Sequence, residues 1–135
     1  MTKTPLAMTI ALLTVLGCGA AAAAQTALKD VAEVRDGIIA VGMALELADN
    51  CDSLRPRTLR GYVFLQSLQS RASELGYSDT EIDTYINDRD EKRRLEEIAR
   101  AQLAQLGVVE GQEATYCAVG RAQIAANTRV GSLLR

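Results

Sequence analysis

A chain of 135 residues with 15 basic and 17 acidic side chains carries a net charge of −2, so it is one domain with no surplus of positive charge for a nucleic-acid backbone. Its hydrophobic share of 48% and charged share of 24% are those of a folded globular chain. The absence of His and Trp excludes Ser-His-Asp and Cys-His nucleophile arrangements and zinc sites built on His, and a single Phe leaves little for stacking bases.

Residues 1–24 read as a signal peptide. Lys3 precedes an apolar run, Leu6 to Leu16, that is too short to span the ~30 Å hydrocarbon layer of a membrane. Ala22-Ala23-Ala24 satisfies the small-x-small rule for cleavage before Gln25, which leaves residues 25–135 as a single helical domain in the periplasm. A second reading exists. Val15-Leu16-Gly17-Cys18 resembles a lipobox, in which Cys18 becomes the acylated first residue and anchors the protein to a membrane. Neither reading leaves a transmembrane segment in the mature chain.

Beyond the signal the pattern is helical throughout. Asp30 and Glu33 have capping-box spacing, followed by a stripe at Val31, Val34, Ile38, Val41, Leu45 and Ala48. Pro56 is suited to the first position of the next helix. That helix has an apolar face of Leu59, Tyr62, Leu65, Leu68, Ala72 and Leu75, flanked by Val63 and Phe64 and stopped by Gly76. Ser78 and Glu81 form a second capping box, opening a short helix with Ile82, Tyr85 and Ile86. A fourth helix carries Leu95, Ile98, Ala99, Leu103 and Leu106 and ends at Gly107. A fifth spans about Glu113 to Ala126, with a last turn at Val130, Leu133 and Leu134. The fifth is apolar nearly all round, the pattern of a helix at the centre of a bundle. The predicted fold is therefore an all-α, compact bundle of four to five helices.

Cys51 and Cys117 are the two cysteines beyond the signal. In an oxidising compartment an even count reads as one disulfide, joining the end of the first helix to the start of the fifth. Two free thiols are the alternative. A redox-catalytic pair would need cysteines close in sequence, which this chain lacks.

Sites of chemistry are few. Asp83, Asn87, Asp88, Asp90 and Glu91 are rich in oxygen, but no Gly lies between Gly76 and Gly107 for a calcium loop, so helix capping by Asp88 or Asp90 is the expectation. Glu96 and Glu97, set among Arg93, Arg94 and Arg100, fit a solvated face with a Glu96–Arg100 pair. No catalytic, cofactor-binding or metal-binding residue is expected. Arg57 and Arg60, with Arg55, sit at a helix start, where the macrodipole disfavours cations. Internal pairing with Asp49 or Asp52 would explain them. So would a partner surface that also includes Tyr62. Arg121, inside the apolar fifth helix, has the same two explanations.

The segments Glu74-Leu75-Gly76-Tyr77-Ser78-Asp79-Thr80-Glu81-Ile82 and Tyr116-Cys117-Ala118-Val119-Gly120-Arg121-Ala122-Gln123-Ile124-Ala125-Ala126 resemble a small uncharacterised family of exported alphaproteobacterial proteins. The likeness extends over most of residues 28–135, including Cys51, Arg57-x-x-Arg60-x-Tyr62 and Gly131-x-Leu133-Leu134-Arg135. That family is classed only as a domain of unknown function, often encoded near genes of the respiratory NADH dehydrogenase, and the resemblance implies no activity.

The expected function is a non-catalytic periplasmic binding or accessory protein acting on another envelope protein, with a respiratory complex as one setting. The alternative is a small periplasmic stress or chaperone-like protein. Without His, its acid trigger would rest on carboxylates near pH 4.

Overall fold

The computed structural model describes residues 24–135. The expected signal segment up to residue 23, with Cys18 and its lipobox, lies outside the described residues. A 3₁₀ turn at Leu28–Asp30 leads into α1 (Ala32–Asp49). Then follow α2 (Thr58–Glu74), α3 (Asp79–Asn87), α4 (Arg89–Gln105), α5 (Glu113–Ala125) and the short α6 (Arg129–Ser132). Five long helices in one bundle match the all-α expectation. Among the described residues the only extended pairing is an isolated antiparallel bridge between Pro56 and Leu134.

Local chemistry accounts for most boundaries. At the start of α3, Ser78 Oγ accepts from the Glu81 N–H at 3.3 Å while Glu81 accepts from the Ser78 N–H at 2.8 Å. The Ser78 N–H and hydroxyl, each donating to the Glu81 carboxylate at 2.8 Å, hold that carboxyl below the usual carboxylate range. At the start of α4, Asp88 Oδ1 accepts from the N–H groups of Asp90 and Glu91 at 2.9 and 3.0 Å, so the oxygen-rich stretch caps a helix as expected. Loss of this cap in Asp88→Ala should lower stability by about 1 kcal/mol in urea unfolding, with α3 and α4 retained by circular dichroism. Gly76 and Gly107 follow α2 and α4 at φ of 94° and 106°, conformations that an L side chain rarely adopts.

Two helix starts differ from the sequence reading. The Asp30–Glu33 capping box does not form. Asp30 belongs to the 3₁₀ turn, Val31 precedes α1 without a side-chain cap, and Glu33 bonds Arg71 of α2 at 2.9 Å. Pro56 does not open α2, which begins at Thr58. The C-terminal segment claims its neighbours instead. The Arg57 N–H donates to Leu133 O at 2.8 Å and the Arg55 N–H to Arg135 O at 2.8 Å, and a proline between them has no donor to lose.

The central helix is α1, not α5. Helices α2, α4, α5 and α6 all pack on α1, which buries Val34, Gly37, Ile39, Ala40, Met43, Ala44 and Leu47. Of the expected stripe only Val34 is fully buried, and Leu45 is exposed. A helix covered on several sides has no single stripe, so a run of apolar residues lets the neighbours choose the phase. In α5, Tyr116, Cys117, Val119 and Gly120 face inward while Ala118 and Ala122 are exposed. Alanine has too little surface to drive burial, so an alanine-rich circumference can face water. On α4, Glu96 pairs with Lys92 at 3.9 Å rather than with Arg100.

Candidate functional site

The segment between α1 and α2 is tied down at three points. Cys51 and Cys117 form the expected disulfide, with a Cα–Cα distance of 5.2 Å. Leu54 is buried against Gly120, where a Cβ would lie 2.3 Å from the Leu54 Cδ1. The bridge to residues 133–135 fixes Arg55 to Arg57. From there α2 runs to a crossing with α1 at Leu68 and Gly37, whose missing Cβ leaves room for the leucine.

Before that crossing, α2 leaves the core. Of the expected apolar face only Leu68 and Ala72 are buried. Leu59 is 78% exposed, Tyr62 59% and Val63 56%. Phe64 is partly buried, with the Arg129 guanidinium 5.5 Å from its ring centre. Two hollows flank this half-helix. One is an apolar groove of about 290 Å³ between α1, α2 and α3, lined by Ile38, Tyr62, Leu65, Tyr85 and Ile86 among others. This groove continues along α1 into a neighbouring recess of about 260 Å³ that reaches Val41 and Leu95. The other is an open cleft of about 540 Å³. Its apolar lining comes from Pro56, Leu59 and Val63, and its charged lining from Arg57, Arg60 and Arg135.

The expected internal pairing of the arginines is not found. Among the described residues no carboxylate lies in salt-bridge range of Arg55, Arg57 or Arg60. Arg60 Nη1 donates to the Ser132 carbonyl at 3.3 Å, and Arg55 Nη1 donates to the carbonyls of Asp52 and Leu54 at 2.6 and 2.8 Å. The Asp52 N–H is bonded to the Glu113 carboxylate at 3.0 Å. Tyr62 does not join Arg57 and Arg60, because it lines the groove while they line the cleft. Arg121 lies outside both hollows, is exposed and donates to Ser53 Oγ at 3.2 Å. Arg135, Leu59 and Val63 complete the cleft. Their role has no local signal, because periodicity places Leu59 on the apolar face of α2 with Val63 flanking it, and Arg135 approaches only through the bridge.

Titratable groups elsewhere offer little chemistry. Glu91 is the one buried charged side chain among the described residues. It is gripped by Arg94 through Nη2–Oε1 at 2.6 Å and Nε–Oε2 at 2.8 Å. Hydrogen bonding from Arg94 holds its carboxyl below the usual carboxylate range. A lowered carboxylate contributes stability above its unfolded pKa, and that contribution is lost only as pH falls through the lowered value. The buried carboxylate therefore keeps its charge to lower pH than an ordinary glutamate. Cys51, Cys117 and Glu113 place ligand atoms close together, but the sulfurs are bonded to each other and offer no thiolate.

No described helix is long and apolar enough to cross a membrane. A family model described as a family of unknown function (DUF5333) matches residues 26–135. No curated protein matches the chain, and no solved structure does.

Proposed function

We propose that this chain, which belongs to the DUF5333 family, is a non-catalytic accessory module of the cell envelope that docks on another envelope protein. The carrying observation is the uncovered first half of α2, with Leu59 at 78% exposure and Val63 at 56%. Clustered apolar side chains that the chain leaves in water favour a partner that removes them from it. Export to the periplasm is part of the proposal, supported by the signal-like residues 1–24 and by the Cys51–Cys117 disulfide. A respiratory complex is the setting that the resemblance suggests. The acid-responsive chaperone reading has less support, because Glu91, the one buried charged side chain among the described residues, already has its counter-ion in Arg94.

The test is capture of the tagged protein from detergent-solubilised membranes after cross-linking in cells. Leu59→Ser with Val63→Ser should melt like the wild type, within about 0.5 kcal/mol, since both positions are exposed. The same variant should lose its cross-linked membrane protein by about fivefold or more. Equal recovery of the same partners by wild type and variant would sink the docking role of α2.

A further inference from the structure

We infer that the cleft beside the start of α2 receives an acidic peptide segment of the partner that bears an apolar side chain. The partner's carboxylates would bond Arg57, Arg60 and Arg135, and its apolar side chain would lie among Pro56, Leu59 and Val63. The inference rests on the reading of α2 as a docking face and adds the chemistry of what docks there.

Charge complementarity is the first reason. Arg57, Arg60 and Arg135 converge on one cleft of about 540 Å³, and no described carboxylate is in salt-bridge range of any of them. Arg35, Arg71, Arg93 and Arg94 have a carboxylate partner on the chain, and Arg55, Arg89, Arg100, Arg121 and Arg129, which have none among the described residues, do not line this cleft. Two of the unpaired cations stand at a helix N-terminus, where the macrodipole opposes them, so an anion from outside relieves both costs.

Preorganisation is the second reason. The bridge clamps the backbone on both sides of the cleft, with Arg57 N–H to Leu133 O at 2.8 Å and Arg135 N–H to Arg55 O at 2.9 Å. The Arg60 guanidinium is partly fixed by the Ser132 carbonyl at 3.3 Å. A held guanidinium fork loses little freedom on accepting a planar carboxylate, which it meets with two parallel bonds.

Charge decides between a peptide and an anionic bilayer. The open cleft sets the arginines beside Pro56, Leu59 and Val63, so a short segment with one apolar side chain and flanking carboxylates satisfies it. A chain of net charge −2 is repelled by anionic lipid outside this cleft, and a peptide contacts only the cleft.

The experiment is fluorescence anisotropy with the purified protein and two labelled helical peptides. One has a leucine stripe flanked by glutamates, and its twin has lysines in place of the glutamates. The wild type should bind the glutamate peptide about tenfold or more tightly than the lysine peptide, and added salt should weaken that binding. Arg57→Glu with Arg60→Glu should reverse the preference, with the circular dichroism spectrum unchanged. Equal affinity of the wild type for both peptides, or no binding of the glutamate peptide below about 1 mM, overturns the inference, and neither result depends on the variant's folding. Sedimentation of the wild type with phosphatidylglycerol vesicles but not phosphatidylcholine vesicles, without peptide binding, overturns it in favour of a membrane surface. If the charge-reversed variant keeps the cross-linked membrane protein that the Leu59/Val63 variant loses, docking stands and the acidic partner falls. If both variants keep it, both readings fall.

Discussion

Reduction of the Cys51–Cys117 disulfide is expected to lower the stability of this protein by about 4 kcal/mol. The bond closes a loop with a sequence separation of 66, and the entropy of that closure in the unfolded chain gives this magnitude. A domain of this size has ~5–15 kcal/mol in all, so the loss is a large share. In urea unfolding followed by circular dichroism, the midpoint should fall by about 2 M at a slope of about 2 kcal/mol per M. The native spectrum at low temperature should persist, because the bridge joins helices that are already packed. A second readout is local. Cys51 is one of the three points that fix the arginine-bearing segment, so reduction should speed tryptic cleavage after Arg57. An unchanged midpoint after complete reduction, verified by thiol titration, would mean that the bridge adds nothing to packing that already holds the bundle.

Gly131→Ala is expected to cost about 3 kcal/mol or more. A Cβ at this position would lie 2.0 Å from the Gln123 carbonyl oxygen, 2.3 Å from its carbon and 2.6 Å from the Ile124 nitrogen. All three are backbone atoms of α5, so no side chain can swing aside and α6 itself must move. That movement would draw on Leu133 and Leu134, both buried in the core, and on the bridge that brings Arg135 to the cleft. Thermal unfolding should show the loss, and peptide binding at the cleft should weaken beyond it. Gly61→Ala is the contrasting change. Gly61 lies in α2, and a Cβ there would meet nothing within 4 Å, so alanine should stabilise the helix by about 0.5–1 kcal/mol. Equal effects at the two glycines would show that chain entropy, not the contact with α5, sets the cost.

Legibility in the sequence followed the range of the interaction. The Ser78–Glu81 box, the Asp88 cap and the stops at Gly76 and Gly107 could be read because each bond joins residues a few positions apart. The disulfide could be read because only two cysteines remain beyond the signal segment. The candidate site was legible only in part. Arg57 and Arg60 were conspicuous as cations at a helix start, but their neighbours were not, since Tyr62 turns to the groove and Arg135 arrives from the far end of the chain.

Helix content, most helix ends and the disulfide pair were thus decided locally or by counting. Tertiary structure decided which helix is central, which face of α2 stays uncovered and which arginines share a cleft. Periodicity says that a helix has an apolar side but not how far its neighbours extend along it. Here α2 crosses α1 at Gly37 and Leu68 and diverges before that point, so one continuous stripe is buried at Leu68 and Ala72 and open to water at Leu59. Pro56 shows the same limit. Its ring suits a helix start, yet residues 133–135 occupy the N–H groups on either side of it, and a competing partner that distant in sequence leaves no local trace.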